Sequence, residues 1–458
     1  MGEREERSIK RIHYPLADAI PQEELDAELA ELERIEKLPL LQKILGYIRL
    51  GGPGFMGAAF TLGAGTVTAS MLSGSIYGYK TMWVLWFSIV VGIFMVAAGL
   101  RFATKGGRII ILQNKYHHWI IGSGLTALGG VAAPAILWTW GQFALAGNLL
   151  ESLTPHLGFS FPRQYNWIAI IALTTWLTLM YGKKNSPGVR FVENFMKCAI
   201  ALMIVGFGFS VIKVGVNVSE FVKGNLIPWV PPGGEGLDLV IASGAAACGV
   251  MDWFLFHYTG LARGWSERHE KLGKMDMFFG LLLPFILVNW LIVTAFAQTL
   301  HVSGGAVPES AVELAAVFAP LLGSELGAIF FYLACLAIPV TTIVGLNVVC
   351  AIAIFEAFGW EANVDSLRWK ACALLPSTGF LAVFASRPVW LVIFVTAFIS
   401  LTNNICGWSW YLLLNDKKVM GENRCKSYLW NLGIMVALCF VNAAAIVYVF
   451  NRLGIFGS

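Results

Sequence analysis

An aspartate, a histidine and two sulfur-bearing side chains lie in one long apolar stretch of the sequence. Asp252 follows Cys248 and Met251 within about one helical turn, and His257 comes soon after. A carboxylate inside an apolar segment of membrane length is costly unless it has a partner, so it typically marks an ion or proton pathway. We therefore predict that Asp252 binds a cation, carries a coupling proton, or does both in turn. His257 is the candidate for passing the proton onward.

The sulfur side chains support a second hypothesis. Cys248, Met251 and Asp252 together can form a metal site, since soft sulfur ligands select transition metals over calcium and magnesium. Packing in an apolar core is the alternative for both sulfur side chains. For Asp252 and His257 the alternative is a structural hydrogen bond between membrane helices.

The elements that position these residues are two apolar segments, each interrupted by small residues. The first is broken at Gly63 to Thr66, and the second reads SGAAACGVMD up to Asp252. A helix that unwinds within a bilayer exposes main-chain polar groups, which must line a cavity inside the protein. The predicted substrate site therefore lies between the two breaks. Its candidate residues are Gly63, Thr66, Ala247, Val250, Met251, Asp252, Asn403 and Asn404.

The composition identifies the class of protein. Of the 458 residues, 57% are hydrophobic and 13% are charged, which predicts a polytopic integral membrane protein surrounded by membrane lipids. The formal net charge of +4 is too small to indicate a nucleic-acid partner. The 8 cysteines include no closely spaced pair, so neither disulfides nor a zinc site is predicted. Because no hydrolase or metalloprotease motif occurs, we expect neither an enzyme nor a resident cofactor.

Four segments follow one another along the chain. Residues 1–50 are polar and include an amphipathic helix, residues 51–214 and 237–413 each carry five predicted membrane helices, and residues 428–450 form the last one. The predicted fold is an all-α membrane protein with eleven transmembrane helices, of which the first and sixth are broken. Breaks five helices apart are what an inverted repeat of five plus five helices requires.

The ends of the chain are predicted from charge. Residues 1–50 show no signal-peptide pattern, and Lys and Arg are concentrated in the loops assigned to the same side. Cytoplasmic loops are the ones enriched in basic residues. We therefore expect a cytoplasmic N-terminus and an external C-terminus, in a bacterial-type inner or plasma membrane.

The first broken segment carries GPGF, then GAGT, then SGSIYGY. In this register it resembles the first helix of the Nramp divalent-metal transporters, which reads GPGF, DPGN and AGS-x-FGY. The resemblance implies a LeuT-like fold with an inverted repeat. It places Gly63 at the metal-ligating aspartate of the family. The A-x-x-M-P-H motif of the sixth helix falls on Ala247, Val250, Met251 and Asp252, of which only the alanine, with its main-chain carbonyl, is retained.

The function that the resemblance implies is secondary active transport by alternating access, with a divalent cation as substrate and a proton as coupling ion. Because most side-chain ligands of the family are replaced, a different solute is the alternative, such as a small organic molecule or an organic cation. A third hypothesis is a non-transporting sensor or scaffold that keeps the transporter fold. The expected partners are the substrate and membrane lipids, and no oligomeric state is predicted.

Overall fold

The computed structural model of the chain describes most of its length, and the described part consists of helices and their connections without a strand. The described residues are 14, 16, 20–159, 161, 163–181, 187–304, 324–384, 391–393, 395–396 and 404–453.

Two helices precede the first membrane segment. Helix α1 comprises Gln22–Glu36 and helix α2 comprises Leu40–Leu50. The apolar residues of α1 recur every three or four positions, and this face is turned inward, with Leu32 and Ile35 buried. The amphipathic helix that the sequence predicts is therefore present, and its apolar face is covered by protein.

An ion pair fastens these two helices to the bundle. Lys271 Nζ lies 2.5 Å from Glu36 Oε2, and the hydroxyl of Tyr47 donates to the same carboxylate. The hydrogen bonds from Lys271 and from Tyr47 hold the pKa of Glu36 at about 2. Because the lowered pKa keeps this carboxylate charged down to acidic pH, the contact persists throughout the neutral range.

The first membrane helix is divided into α3 (Pro53–Thr61) and α4 (Ala64–Tyr77), which are bent by 49° relative to each other. Proline suits the first position of α3 because that position needs no N–H donor. Between the halves, Gly63 is extended, with φ −68° and ψ 174°. The break predicted at this glycine is thus present.

The helices that follow alternate between long apolar elements and short connecting ones. They are α5 (Met82–Gly106), α6 (Ile109–Tyr116), α7 (Ile120–Leu157), α8 (Arg163–Met180), α9 (Pro187–Val214) and α10 (Val218–Leu226).

The second interrupted element consists of α11 (Gly234–Cys248) and α12 (Val250–Ala262), separated by Gly249. This glycine is also extended, with φ −70° and ψ 142°. Helix α4 contacts α11, and α3 contacts α12. Because the half-helices pair in this way, the two breaks lie side by side in the bundle, as two broken helices around one central site would.

The remaining helices complete the bundle. They are α13 (Glu267–His301), α14 (Ser324–Phe358), α15 (Leu367–Leu374, continued by a 3-10 helix at Leu375–Phe384), α16 (Asn404–Asn415), α17 (Lys417–Met420) and α18 (Tyr428–Arg452).

Within the described residues, six helices are long and apolar enough to cross a membrane, or seven if α3 and α4 are taken as one span. The predicted number of eleven is therefore not confirmed. Part of the difference has a physical cause, because the sixth predicted span consists of two shorter half-helices. Another candidate, Tyr165–Met180, is apolar but short.

Candidate functional site: the two broken helices

Three carbonyl groups near the end of α3 accept hydrogen bonds from within the protein. Helix ends leave carbonyls without intrahelical donors. Here Ala58 O accepts from Leu62 N at 2.8 Å, and Ala59 O accepts from the hydroxyl of Thr342 at 3.2 Å. Phe60 O accepts from the N–H of the glycine at the break at 3.1 Å. Each of these three carbonyls therefore already has one donor within the protein.

Gly63, at which the sequence resemblance places the metal-ligating aspartate of the family, is tightly packed. A Cβ added to Gly63 would lie 2.9 Å from both Phe60 O and Thr342 Oγ1, and 3.0 Å from Thr342 Cγ2. Contacts this short require a neighbour to move. The glycine therefore allows α14 to approach the break closely, and a side chain at this position would require Thr342 or the main chain of α3 to move.

The start of α4 is surrounded by neutral polar groups. Gln142 Oε1 accepts from Ala64 N at 3.1 Å. A Cβ on Gly65 would collide with Thr396 Oγ1, so this hydroxyl lies against the first turn. Thr66 Oγ1, Thr396 Oγ1 and Gln142 Nε2 are buried, and within the described residues they have no hydrogen-bond partner. Of these three, Thr66 is a predicted site residue and Thr396 is one that the sequence reasoning missed.

The residues predicted in the sixth helix point in different directions. The carbonyl of Ala247 lies so close to Gly92 of α5 that a Cβ there would collide with it. Cys248 Sγ donates to Ser88 O, also on α5, at 3.0 Å. The Ala247 carbonyl and the Cys248 thiol thus both lie against α5, whereas the side chain of Val250 lies against Gly130 of α7.

Asp252 faces the first broken helix. Its side chain is completely buried, and a Cβ on Gly57 of α3 would lie 3.2 Å from its Oδ1. Neither carboxylate oxygen has a hydrogen-bond partner among the described residues. The residue lies in the first turn of α12, where the helix dipole favours a negative charge. It is thus a buried carboxylate whose ligand positions are open.

The predicted three-residue metal site is not assembled in this arrangement. The thiol of Cys248 is bonded to α5, while Asp252 faces α3. In the described part of the chain, no group of three or more His, Cys, Asp or Glu side chains could hold a metal ion. Met251 is buried next to both residues. A metal site built from these residues therefore remains a prediction that requires another conformation.

His257 is held by main-chain groups on both sides of its ring. Its Nδ1 donates to Gly99 O at 3.0 Å, and its Nε2 accepts from Ile109 N at 3.3 Å. The ring thus joins α12 to the end of α5 and the start of α6. With both nitrogens occupied, the structural interpretation of this histidine is favoured, and the proton relay stays a prediction.

We expect His257→Ala to lower the free energy of unfolding by about 2–4 kcal/mol, because it leaves the buried N–H of Ile109 without its acceptor and removes a buried ring from the core. Thermal unfolding in detergent checks this. A relay role predicts a different result, in which proton-linked transport slows while stability and substrate binding hold.

The start of α3 is clamped by charged side chains. Arg263 Nη2 lies 2.5 Å from Glu193 Oε1, and Arg263 Nη1 donates to Leu50 O at 3.0 Å. Asp276 accepts from Gly54 N at 2.6 Å. These side chains come from α9, α13 and the end of α12. They hold the first half of the broken helix at this end of the bundle.

The strength of this clamp can be measured with a double-mutant cycle on Glu193→Gln and Arg263→Gln. We expect a coupling energy of about 1–3 kcal/mol, since the pair is partly buried and hydrogen-bonded. Thermal unfolding of the two single variants and the double variant gives the value. Additive effects would show that the two side chains do not act together.

A second charged network was not found from the sequence. The guanidinium of Arg108 forms a bidentate ion pair with Glu356, and the hydroxyl of Tyr258 donates to Glu356 Oε2 at 2.6 Å. Tyr14 packs edge-on against Tyr258, with ring centroids 5.5 Å apart. The signal available in the sequence was a glutamate at the end of the apolar helix α14.

The predicted pair Asn403 and Asn404 contributes nothing to this geometry. Asn403 lies outside the described residues, and for Asn404 only the main chain is described. Their role in substrate contact stays a prediction.

The helices define a class of protein, namely integral membrane proteins built around two broken helices. A manganese transporter of Eremococcus coleocola has a similar structure, with a TM-score of 0.69 at 14% identity over 92% of this chain and 90% of that chain. MhsT in complex with L-phenylalanine gives a TM-score of 0.53 at 15% identity, over 84% and 98%. These similarities confirm the LeuT-like fold.

Sequence comparison gives the family. A family model described as natural resistance-associated macrophage protein-like matches residues 54–450. Natural resistance-associated macrophage protein 1 of Gallus gallus is 23% identical over 55% of this chain and 45% of that protein. Protein Malvolio of Drosophila melanogaster is 24% identical over 55% and 42%. The chain belongs to the Nramp family, although it spans less than half the length of these curated relatives.

This membership confirms two expectations from the sequence. Members of the family are transporters and not enzymes, so the expectation that the chain is not an enzyme holds. The chain is an integral membrane protein, as its apolar helices also indicate.

Proposed function

We propose that the chain is a secondary active transporter that carries a cation by alternating access, with Asp252 as the charged group of its central site. The observation that carries this proposal is the buried carboxylate, which lies beside the break in one helix and faces the other broken helix. Its two oxygens have no hydrogen-bond partner in the described part of the chain.

Electrostatics gives the reason. A buried ionised carboxylate without a partner costs several kcal/mol, and a structural role would normally supply hydrogen bonds to offset this cost. A bound cation offsets it directly. When no cation is bound, a proton on the same group has the same effect, so one carboxylate serves both substrate and coupling ion in turn.

The first substrate class to test is a divalent metal. The structurally similar Eremococcus coleocola protein is a manganese transporter. In this chain Gly63 supplies no side-chain ligand, and its neighbours leave little room for one. A divalent ion at Asp252 would therefore keep much of its hydration shell. Magnesium is the ion that most readily keeps its waters. An organic cation is the second candidate, because one carboxylate in an apolar site is sufficient for a single positive charge.

Alternating access requires that one end of the site opens while the other is closed. The Arg263–Glu193 pair and Asp276 close the end at which α3 begins. If the N-terminus is cytoplasmic, this is the cytoplasmic end. Release of these contacts would then allow α3 to move as a short rigid piece hinged at the break.

The proposal is tested with purified protein in liposomes that contain a pH-sensitive dye. Uptake of Mn²⁺, Mg²⁺, Ca²⁺ and methylammonium is measured against protein-free liposomes. Saturable uptake of at least one cation is expected, with a change of internal pH if protons are coupled. Absence of uptake for all four cations, from a protein that unfolds cooperatively, would contradict the proposal and would leave a different organic solute, or a sensor or scaffold, as the function.

A further inference from the structure

On its α4 side the break of the first membrane helix presents hydrogen-bond donors, whereas Ala58 O, Ala59 O and Phe60 O on its α3 side already accept hydrogen bonds. At the start of α4 the situation is reversed. The first N–H groups of a helix have no acceptor within it and carry the positive end of its dipole. The N–H groups of Gly65 and Thr66 belong to this first turn.

Three side chains add donors at the same place. Thr66 Oγ1, Thr396 Oγ1 and Gln142 Nε2 have no hydrogen-bond partner in the described part of the chain, and each residue is at most 1% exposed. The bond from Ala64 N to Gln142 Oε1 orients the amide, so its NH₂ group is held at the helix start. Buried donors without acceptors are costly. A ligand that accepts hydrogen bonds would satisfy all three groups at once.

The charge of the site selects the ligand. The side chains that the structure places at this break are neutral, and the sequence resemblance places Gly63 where the family has its aspartate. A helix start lined by neutral donors suits an anion and repels a metal ion. We infer that the break binds a small anion, which is either the carboxylate of an organic substrate or a free halide.

The inference rests on the proposed function for its link to transport, and it extends the substrate class. Asp252 faces Gly57, which precedes Gly63 by about 9 Å of helix rise. A small zwitterion could thus place its ammonium group at Asp252 and its carboxylate at the start of α4. Such a substrate neutralises the buried carboxylate and satisfies the buried donors at the same time.

The test is thermal unfolding of the purified full chain in detergent, at constant ionic strength set with a bulky sulfonate buffer salt that carries no carboxylate. Acetate, chloride and 4-aminobutyrate are titrated separately. Saturable stabilisation by acetate is expected, and a larger effect of 4-aminobutyrate indicates that both groups of a zwitterion are bound. Chloride acting as well as acetate identifies a halide as occupant. No saturable effect of acetate or chloride overturns the inference.

Two variants locate the binding. Gln142→Glu keeps the acceptor for Ala64 N and puts a negative charge where the anion would lie, so the stabilisation by acetate should fall at least tenfold in apparent affinity. Gln298→Glu is the matched control, since Gln298 donates to Tyr79 elsewhere in the bundle, and it should retain the effect. Unchanged stabilisation of Gln142→Glu by acetate would overturn the inference.

Thr396→Val provides a second, gentler variant, because it removes a hydroxyl that has no protein partner. We expect it to unfold at the same temperature as the wild type without ligand, and to bind acetate at least threefold more weakly.

Asp252→Asn separates the two proposals. This variant should still be stabilised by acetate even if it no longer transports a cation. If Asp252→Asn is no longer stabilised by acetate, while the wild type is, the anion does not bind at the start of α4.

Discussion

Asp252→Asn should make the protein more stable while it removes cation binding. The aspartate is completely buried and its oxygens have no hydrogen-bond partner in the described residues. Replacing an uncompensated buried charge with a neutral group of the same shape is expected to raise the free energy of unfolding by about 1–3 kcal/mol. Most substitutions of buried residues destabilise, so a gain would identify a group kept for function.

Thermal unfolding, followed by the fluorescence of the 17 tryptophans, measures this effect. Asp238→Asn is the matched control, because Asp238 is also buried but lies near the start of α11, away from the break. The control should gain no stability and should still be stabilised by the transported cation. A loss of stability in Asp252→Asn would indicate a structural carboxylate and would contradict our account.

Gly63→Asp, which introduces the aspartate that the sequence resemblance places at this position, should not create a metal site. The new side chain would meet Phe60 O and Thr342 Oγ1 at 2.9 Å, and overpacking of this kind costs about 1–3 kcal/mol before the burial of a further charge is counted. We therefore expect a lower melting temperature and no stabilisation by Mn²⁺ at concentrations that leave the wild type unchanged.

The double variant Gly63→Asp with Thr342→Ala tests the reason. Removing the threonine side chain relieves the contact, so the double variant should regain part of the stability that the single variant loses. Its loss of the hydroxyl bond to Ala59 O limits the recovery. If Gly63→Asp alone folds with wild-type stability and binds Mn²⁺ tightly, the close packing around Gly63 does not prevent a metal site there.

The sequence predicted the two breaks because glycine and small residues in apolar segments have a specific meaning in a membrane. Gly63 and Gly249 are both extended and both begin a half-helix. The amphipathic helix α1 was predicted from the spacing of its apolar residues, because a period of three or four positions indicates which face of a helix is buried.

Side-chain directions could not be predicted in the same way. Ala247 and Val250 are only three positions apart in the sequence. Yet the carbonyl of Ala247 lies against α5, whereas the side chain of Val250 lies against α7. Which neighbour each residue meets depends on how distant helices pack. The same limit applies to Thr396, which reaches the break from a remote part of the chain and has no local sequence signal.

The number of membrane helices was harder to predict than the fold. Counting apolar stretches treats a broken helix as one span, whereas its half-helices are each shorter than a membrane. The LeuT-like fold was nevertheless recognised, because the paired breaks and the register of GPGF, GAGT and SGSIYGY are more specific than the length of any one helix.

The most direct test of the central claim is the initial rate of cation uptake into liposomes by the wild type and by Asp252→Asn, reconstituted at equal density. The cation is the one that the wild type transports best. We predict that uptake by the variant falls to the level of protein-free liposomes, because the charge that attracts the substrate is gone. Retention of more than half of the wild-type rate would contradict the assignment of Asp252 as the charged group of the transport site.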